Sequence, residues 1–451
     1  MTIPEPGDPH YSGPIMPPLS EAPPRRSAGL APIRILSVSD SESYLKWATQ
    51  LLSSLPDVEG RVFLVDNPIL PTDEQIASAV AGTDWEHREV PVIARPDLAQ
   101  VIADQSPDIV LGAATGPIVA QVFLTAHTRT DRPALVSGLP GMGLPASGKG
   151  MNYRRLMDAF IAHSSAEVAA YTEASARSQV PCEVLLARLP MLRSEGIPQL
   201  AAPAEPLAEA TPPSVTTAPS SADAARTDAP ATPRTLVFAP QAKVPTERAD
   251  REAIIAALAE FADSHPESTA IIKMRSRPGE SETHHEQHSY FEILGDFRSR
   301  RVPGADRIEF GYGPLSDFLT DGSALVTVSS TAALESVDRG IPTLLISDFG
   351  FDTAMLNEVF ADSGATGTLA DVAAGSIGFP APEWLAENYF HAQDGQLRRD
   401  LGLLATRARA GQLPNRRSAL FKQKRMLIRA ELRTVTPAPV VSAYRKLRGT
   451  R

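Results

Sequence analysis

The strongest constraint on the fold is a regular alternation of short β-branched runs with amphipathic stretches. Residues 33–38, 62–65 and 109–112 have the apolar character of buried strands, whereas residues 44–55 and 117–128 have helical periodicity. Alternation of this regularity predicts a parallel sheet that is covered by helices on both faces.

The second half of the chain repeats the pattern. Its predicted strands are residues 235–238, 269–274, 307–310, 324–328 and 343–346, and its predicted helices are residues 246–262, 314–320, 331–339 and 353–360. The sequence therefore predicts an α/β protein with two Rossmann-like doubly wound domains in tandem. Residues 382–433 are helical in pattern, and we expect this C-terminal segment to cross back to the first domain.

Two proline-rich segments, residues 1–31 and 201–234, contain few large apolar side chains, so neither buries enough surface to fold by itself. The predicted organisation is a disordered segment at 1–31, a first Rossmann-like domain at 32–200, a linker or long loop at 201–234, a second Rossmann-like domain at 235–380, and C-terminal helices with a basic tail at 381–451. The functional roles of the two domains, acceptor and donor, follow only from the motifs below.

Cysteine content and apolar run lengths exclude several classes of protein. The single cysteine, Cys182, excludes an internal disulfide and a zinc or iron–sulfur site built on several thiols. The longest apolar runs have the length of strands, and the first thirty residues lack a basic start followed by an apolar core. We therefore expect a soluble, cytoplasmic protein.

The charge distribution is uneven. The chain carries a net charge of −10, which argues against a dedicated nucleic-acid binder. Residues 397–451 nevertheless contain 15 Lys and Arg and only two Asp and Glu, so their net charge is +13. The rest of the chain therefore carries a net charge of −23. A solvated helix packed on the body is the favoured interpretation of this basic tail; peripheral contact with the inner face of a membrane comes second, and nucleic acid third.

In open parallel sheets ligands bind outside the carboxyl ends of the strands, so two facing sheets predict one interdomain cleft. At such a strand end, Ser329, Ser330 and Thr331 open a helix, and free backbone N–H groups, hydroxyls and the helix dipole converge on an anion site. Glu335 follows one turn later and is suited to accept hydrogen bonds from ribose hydroxyls. The alternative is that Ser330 only caps the helix and Glu335 offsets its dipole.

The run Ser330-Thr331-x-x-x-Glu335-x-x-x-x-Gly340-x-Pro342 resembles the donor-site motif of bacterial capsule and sialic-acid-type glycosyltransferases of the two-lobed GT-B fold. Over much of its length the chain also resembles a bacterial family labelled as glycosyltransferases. The resemblance implies a nucleotide-sugar donor, a glycan or lipid-linked acceptor, a place in cell-surface polysaccharide or glycolipid synthesis, and catalysis without a cofactor or bound metal.

Three further residues of the second domain are candidates for the donor site. Lys273 and Arg275 end an apolar strand on one side, and Arg275 stands where the capsule-type enzymes often have a histidine. A solvated strand end is the alternative. Gln241 follows the first strand of this domain and is placed to contact a phosphate or the base, although a structural turn explains it equally well.

Tyr312 follows another strand end and is a weak candidate for lining the base pocket. The pair His284 and His288 has the spacing of metal ligands, but its polar surroundings favour an exposed loop or a helix start.

Two residues of the first domain are candidates for the catalytic base. Asp40 follows the opening strand and is suited to remove the proton from an acceptor hydroxyl. His163, next to Ser164, is the second candidate because an imidazole needs less tuning. Helix capping by Asp40 and a structural role for His163 are the respective alternatives.

Residues 138–150 form a glycine-rich stretch with an imperfect phosphate-binding-loop pattern. Gly150 stands where a Ser or Thr hydroxyl would bind Mg²⁺, and Pro145 removes a backbone donor, so nucleoside triphosphate hydrolysis is rejected. Instead the stretch predicts a flexible loop on the acceptor side of the cleft, with Gly141 and Gly143 in it.

The favoured function is glycosyl transfer from a nucleotide-sugar. Three alternatives remain. A nucleotide-sugar 2-epimerase has the same two-lobed architecture, and glycerol-phosphate transferases have similar helix-terminus motifs. A non-catalytic nucleotide-binding regulator would keep the fold and lack the base.

Overall fold

The structure is a computed structural model. It describes residues 32–193, 198, 232–274, 288–392 and 394–435, and residues 429–435 are described by their backbone only. The predicted segment 1–31 and nearly all of the predicted linker 201–234 lie outside the described residues.

The first half of the chain forms a parallel sheet between two layers of helices. Its strands are β1 (Ile33–Ser39), β2 (Val58–Val65), β3 (Val92–Ile93), β4 (Ile109–Ala113), β5 (Ala134–Gly138), β6 (Ala159–Ala162) and β7 (Glu183–Leu186). Its helices are α1 (Glu42–Ser53), α2 (Asp73–Val80), α3 (Leu98–Gln105), α4 (Gly116–His127), α5 (Gly148–Tyr153) and α6 (Ser165–Ser178). The strand order is β3-β2-β1-β4-β5-β6-β7, and each described pairing is parallel.

The second half repeats this arrangement. Its strands are β8 (Thr235–Phe238), β9 (Thr269–Lys273), β10 (Ile308–Gly311), β11 (Ser323–Thr327), β12 (Thr343–Ile346) and β13 (Thr366–Gly367), in the order β10-β9-β8-β11-β12-β13. Its helices are α7 (Arg248–Ser264), α8 (Tyr290–Ser299), α9 (Ala332–Asp338), α10 (Leu369–Ala374) and α11 (Pro382–Glu387). Both sheets have the doubly wound order, so the predicted pair of Rossmann-like lobes is confirmed.

The C-terminal helices return to the first lobe, as predicted. Helix α12 (Gln396–Arg409) buries Leu397, Leu401 and Leu404 in the core on one face of the first sheet. Helix α13 (Arg417–Val435) lies against α4 on the opposite face, where Leu420 joins the second core of this lobe. Because α13 covers it, α4 needs an almost continuous apolar surface, and its sequence supplies one.

Two buried aspartates attach this returning segment. Asp108 accepts hydrogen bonds from Arg409 at 2.6 and 2.9 Å, and Asp158 pairs with Arg132 at 2.8 Å and with Arg416 at 3.5 Å. Each aspartate directly precedes a strand of the first sheet. Arg409 and Arg416 therefore hold α12 and the start of α13 to the amino edge of that sheet.

Two predicted helices of the second lobe are wrong. Residues 314–320 contain only a short 3₁₀ turn, Leu315–Asp317, and residues 353–360 contain turns and the 3₁₀ turn Glu358–Phe360. In the latter segment Leu356 has φ +58°, a left-handed conformation that interrupts any α-helix, and its carbonyl accepts a hydrogen bond from Ser329 at 2.7 Å. A tertiary contact thus overrides a helical pattern.

Candidate functional site

Both lobes have a topological switch point, where neighbouring strands lead to helices on opposite faces. In the first lobe it lies between β1 and β4, whose carboxyl ends lead to Asp40 and Thr115. In the second it lies between β8 and β11, which lead to Gln241 and Ser329. Ligands of open α/β sheets bind at such points, so three of the predicted site residues, Asp40, Gln241 and Ser329, occupy the expected positions.

At the second switch point, the predicted donor motif is shaped by hydrogen bonds. Gln241 donates its amide N–H to the carbonyl of Ser329 at 2.9 Å, and the buried Ser329 hydroxyl donates to the carbonyl of Leu356. Ser330 Oγ accepts from the backbone N–H of Ala332 at 3.2 Å. Thr331 precedes α9 without capping it. Ser329 and Gln241 thus shape the loop, while Ser330 and Thr331 remain half-buried at its surface.

The donor motif lies against the first lobe. A Cβ built on Gly141 would be 2.8 Å from Cγ2 of Thr331, so the glycine-rich loop meets the start of α9 with no room for a side chain. Lys46, on α1, places Nζ 3.5 Å from Oε2 of Glu335, with side-chain exposures of 32% and 22%. The motif therefore contacts two separate parts of the first lobe, the glycine-rich loop and α1.

Described residues just after the first sheet also contact α9. Arg188 and Asp338, at the end of α9, form an ion pair at 3.8 Å with both side chains almost fully buried. The backbone N–H of Arg193 donates to Asp338 at 2.7 Å. The chain leaving the first lobe is thus attached to the helix that the donor motif begins.

Lys273 and Tyr312 stand on the same edge of the second sheet as the motif. Lys273 ends β9 and pairs in register with Gly311, the last residue of β10, and Tyr312 follows directly. Both side chains are half-buried. Arg275 lies outside the described residues, as does His284.

Asp40 is fully buried at the first switch point. Its Oδ2 accepts hydrogen bonds from the backbone N–H of Thr115 at 2.9 Å and from the Thr115 hydroxyl, whereas Oδ1 has no partner among the described residues. Burial raises the pKa of Asp40, and the Thr115 hydrogen bonds, the nearby Ser41 hydroxyl and the charge of Arg154 offset that rise only partly. A carboxyl group with one unpaired oxygen and a raised pKa is chemically suited to accept a proton.

Two neighbours, Trp47 and Ala187, hold the ring of His163. The indole N–H of Trp47 donates to Nε2 at 2.9 Å, so the ring proton lies on Nδ1, which is 3.0 Å from the carbonyl of Ala187. Burial lowers the pKa of His163 and favours the neutral ring. Since the Trp47 contact occupies the basic lone pair, the arrangement favours a positioning role for His163.

Glu167 connects the glycine-rich loop to the returning C-terminal segment. Its buried carboxyl accepts hydrogen bonds from the backbone N–H groups of Gly143 at 2.7 Å and His163 at 2.8 Å, and from the hydroxyl of Tyr389 at 3.0 Å. Tyr171 donates to the carbonyl of Gly143 at 2.7 Å. Both backbone groups of Gly143 are therefore held by buried side chains.

Sequence reasoning missed Lys46, Arg154 and Glu167. Arg154 is 4% exposed, and its guanidinium donates to Ser137 at 2.9 Å and approaches Tyr44 at 3.4 Å, directly behind the Asp40 site. None of these residues belongs to a motif. The one available signal was Glu167 three residues after Ser164, the spacing of a capping box.

A cavity of about 430 Å³ lies elsewhere, over the amino ends of β1 and β2, with Trp85 and Arg88 in its lining. It is on the opposite edge of the first sheet from the switch point and does not include any predicted site residue. Within the described part of the chain, no group of three His, Cys, Asp or Glu side chains is arranged to hold a metal ion.

Comparison with known proteins places the chain in a family. Residues 35–404 match the model of the family described as "Putative glycosyltransferase (DUF6716)". The chain belongs to this family. The match spans both lobes and part of α12, and it confirms the predicted resemblance, over much of the chain, to a family labelled as glycosyltransferases. No curated protein matches the sequence.

Solved structures give a likeness of fold. MnaA of S. aureus in complex with UDP is 12% identical, with 85% of this chain and 98% of that chain covered and a TM-score of 0.51. UDP-GlcNAc 2-epimerase of Neisseria meningitidis bound to UDP-GlcNAc is 10% identical over 84% and 100% of the two chains, with a TM-score of 0.46. The lipopolysaccharide outer core galactosyltransferase WaaB is 11% identical over 88% and 100%, with a TM-score of 0.41. At 12% identity, the likeness to MnaA supports a two-lobed GT-B-like fold and nothing finer.

Proposed function

We propose that this protein is a glycosyltransferase that moves a sugar from a nucleotide-sugar donor to a glycan or lipid-linked acceptor. Family membership supports the reaction class. The observation that carries the proposal is the contact of the donor motif with the first lobe, through Gly141 at Thr331 and Lys46 at Glu335. A nucleotide bound at the motif would lie between two sets of loops, which is the geometry that a two-substrate transfer needs.

The second lobe would bind the donor. Ser330 and Thr331 would receive the phosphates with Lys273 and Arg275, and Glu335 would accept hydrogen bonds from the ribose. In this role Ser329 and Gln241 shape the loop, and Tyr312 lines the base pocket. Lys46 adds a cation from the first lobe, so the pair that it forms with Glu335 would loosen as the nucleotide enters. Cations near the phosphates stabilise the leaving group as the glycosidic bond breaks.

The first lobe would supply the acceptor site and the base. We assign the base to Asp40 rather than His163, because Oδ1 of Asp40 is unpaired among the described residues while the His163 lone pair is occupied. Asp40 is fully buried in this structure, so the proposal includes a movement of the loop at Thr115 when the acceptor binds. Gly141 and Gly143 would form the acceptor-side wall.

We also propose that the protein works without a bound metal or cofactor in the cytoplasm, in cell-surface polysaccharide or glycolipid synthesis, with the basic tail at the inner face of the membrane. The tail has the excess of cations that attracts anionic lipid. No helix within the described residues is both long and apolar enough to cross a membrane.

Nucleotide binding tests the donor assignment. Thermal unfolding is followed with UDP, GDP, CMP, CDP and dTDP, and at a hundredfold excess over its dissociation constant the preferred nucleotide stabilises the protein by about 2.7 kcal/mol. Changing Ser330 and Thr331 to Glu should abolish the effect. Thr320→Glu is the matched control, because Thr320 is exposed at the opposite end of β11. A protein that no nucleotide stabilises, or a Ser330/Thr331 variant that binds normally while folded, contradicts the proposal.

Product analysis separates the reactions. Incubation with the preferred nucleotide-sugar alone yields an epimer if the protein is a 2-epimerase, whereas a transferase leaves the sugar configuration unchanged until an acceptor is added. Preference for CDP or CMP would favour glycerol-phosphate transfer. For a regulator, Asp40→Ala and His163→Ala would leave the cellular phenotype intact.

A further inference from the structure

The outward face of α13 combines exposed apolar side chains with exposed cations. Phe421 is 67% exposed and Ile428 is 55% exposed, although both are large and apolar. They lie seven residues apart, so they project from nearly the same side of the helix. Exposed apolar side chains that are grouped on one element, with polar residues around them, are typical of a surface that contacts a membrane, another protein or a ligand.

Cations surround this apolar pair. Arg417 and Arg425 lie on either side of Phe421, and Lys422 and Lys424 complete the face. All four side chains are exposed, and none has an ion-pair partner among the described residues. An unpaired positive rim around an apolar centre is typical of a helix that lies in the plane of a membrane interface.

The opposite face of α13 is firmly attached to the body. Ala419 and Leu420 pack on the core of the first lobe, and the buried Gln423 donates a hydrogen bond to the carbonyl of Tyr153 at 3.1 Å. Arg416, just before the helix, is held by Asp158. The exposed face is therefore presented in a fixed orientation.

We propose that this face, consisting of Arg417, Phe421, Lys422, Lys424, Arg425 and Ile428, docks on an anionic lipid bilayer. Its positive charge opposes pairing with a second copy of itself and matches acidic headgroups. Nucleic acid would use the cations but would gain nothing from the exposed Ile428, whereas a membrane interface uses both. The inference rests on the proposed function only for its cellular setting.

A series of contacts connects the body-facing side of α13 to the candidate base. Gln423 donates a hydrogen bond to the carbonyl of Tyr153, and the Tyr153 ring lies against Gly116 with no room for a side chain there. The residue before Gly116 is Thr115, which is hydrogen-bonded to Asp40. Docking would therefore hold a lipid-linked acceptor near the lobe that contains the first switch point.

Vesicle binding by the full chain tests the docking surface. The wild-type protein should sediment with vesicles of phosphatidylcholine and phosphatidylglycerol but not with phosphatidylcholine alone, and high salt should weaken binding. F421S/I428S should lower the partition constant at least about tenfold. K422E/K424E should lower it at least about 25-fold, since each surface cation contributes roughly fivefold.

The matched control is Leu403→Ser. Leu403 is 61% exposed on α12, which covers the other face of the first sheet, so this change should leave vesicle binding unaltered. Circular dichroism of each variant verifies the fold, and these positions are exposed, so the native state should persist. Nucleotide stabilisation is measured on the same samples; it should be unaffected, which separates failure of this inference from failure of the proposed donor site.

Three results would overturn the docking surface. One is equal vesicle binding by the wild type and F421S/I428S, which would mean that the apolar pair does not contribute and that cations alone account for the binding. Another is no binding to either type of vesicle. The third is tighter binding to polyuridylate than to anionic vesicles, with no dependence on Phe421 or Ile428, which would identify a nucleic-acid surface.

Discussion

Replacing Gly141 by Ala probes the contact between the lobes directly. The added Cβ would stand 2.8 Å from Cγ2 of Thr331. That is at least about 0.7 Å closer than a favourable carbon–carbon contact. Overpacking of this kind costs about 1–3 kcal/mol. The next nearest atom, Cβ of Thr331, is 4.0 Å away, so the clash involves a single methyl group.

Thr331→Ser removes that methyl group and keeps the hydroxyl. In the Thr331→Ser background Gly141→Ala should therefore be neutral, or stabilising by up to about 1 kcal/mol because Ala restricts the unfolded chain. In the wild-type background it should be destabilising. The difference between the two effects is the coupling energy, which we expect to be about 1–3 kcal/mol.

Urea unfolding of the four proteins measures this coupling. Tryptophan fluorescence and far-ultraviolet circular dichroism should give coincident transitions, so that one free energy of unfolding applies to both lobes. If Gly141→Ala has the same effect in both backgrounds, within about 0.5 kcal/mol, then the two residues are not in contact in solution. The placement of the donor motif against the first lobe would then be wrong.

Three further changes test the packing of the first lobe. Asp158→Asn should lower the free energy of unfolding by about 3 kcal/mol, because Arg132 and Arg416 lose their buried carboxylate partner. If urea unfolding shows a decrease below about 1 kcal/mol, this role of Asp158 is wrong. Burial and the charge of Arg132 lower the pKa of His127 from 6.5 to about 4. The unfolded chain therefore binds the proton at a higher pH than the folded protein does, and the free energy of unfolding falls as the pH drops from 6.5 toward 4. His127→Gln should make the urea midpoint less dependent on pH across that range, and an unchanged dependence would contradict the assignment. Tyr389→Phe removes the hydrogen bond to Glu167 and should cost about 2 kcal/mol by the same assay, with no loss expected if that bond is absent in solution.

Strand and helix patterns made most of the fold predictable from the sequence. Buried runs such as residues 109–112 and 324–328 are strands in the structure, and their parallel arrangement brings Asp40, Gln241, Lys273 and Ser329 to the carboxyl edges of their sheets. This follows because parallel strands all end on the same side. The edge strand β13 escaped prediction, because its two residues are too few for any periodicity.

The candidate site was less predictable. The local pattern of residues 353–360 favours a helix, but the left-handed Leu356 and its contact with Ser329 prevent one. The sequence offers Asp40 as the first candidate for a base and His163 as the second. Only packing distinguishes them, because Trp47 occupies the lone pair of His163 and no described residue occupies Oδ1 of Asp40.

The amino-acid sequence by itself determined the two doubly wound sheets and the edge on which their polar loops gather, because hydrophobic periodicity is a local property of the chain. Tertiary structure alone decided that Lys46 meets Glu335, 289 residues later, and that Gly141 leaves room for Thr331. Such contacts depend on how two separately formed sheets pack together, and neither periodicity nor a motif within one lobe records which side chains will face each other across that boundary.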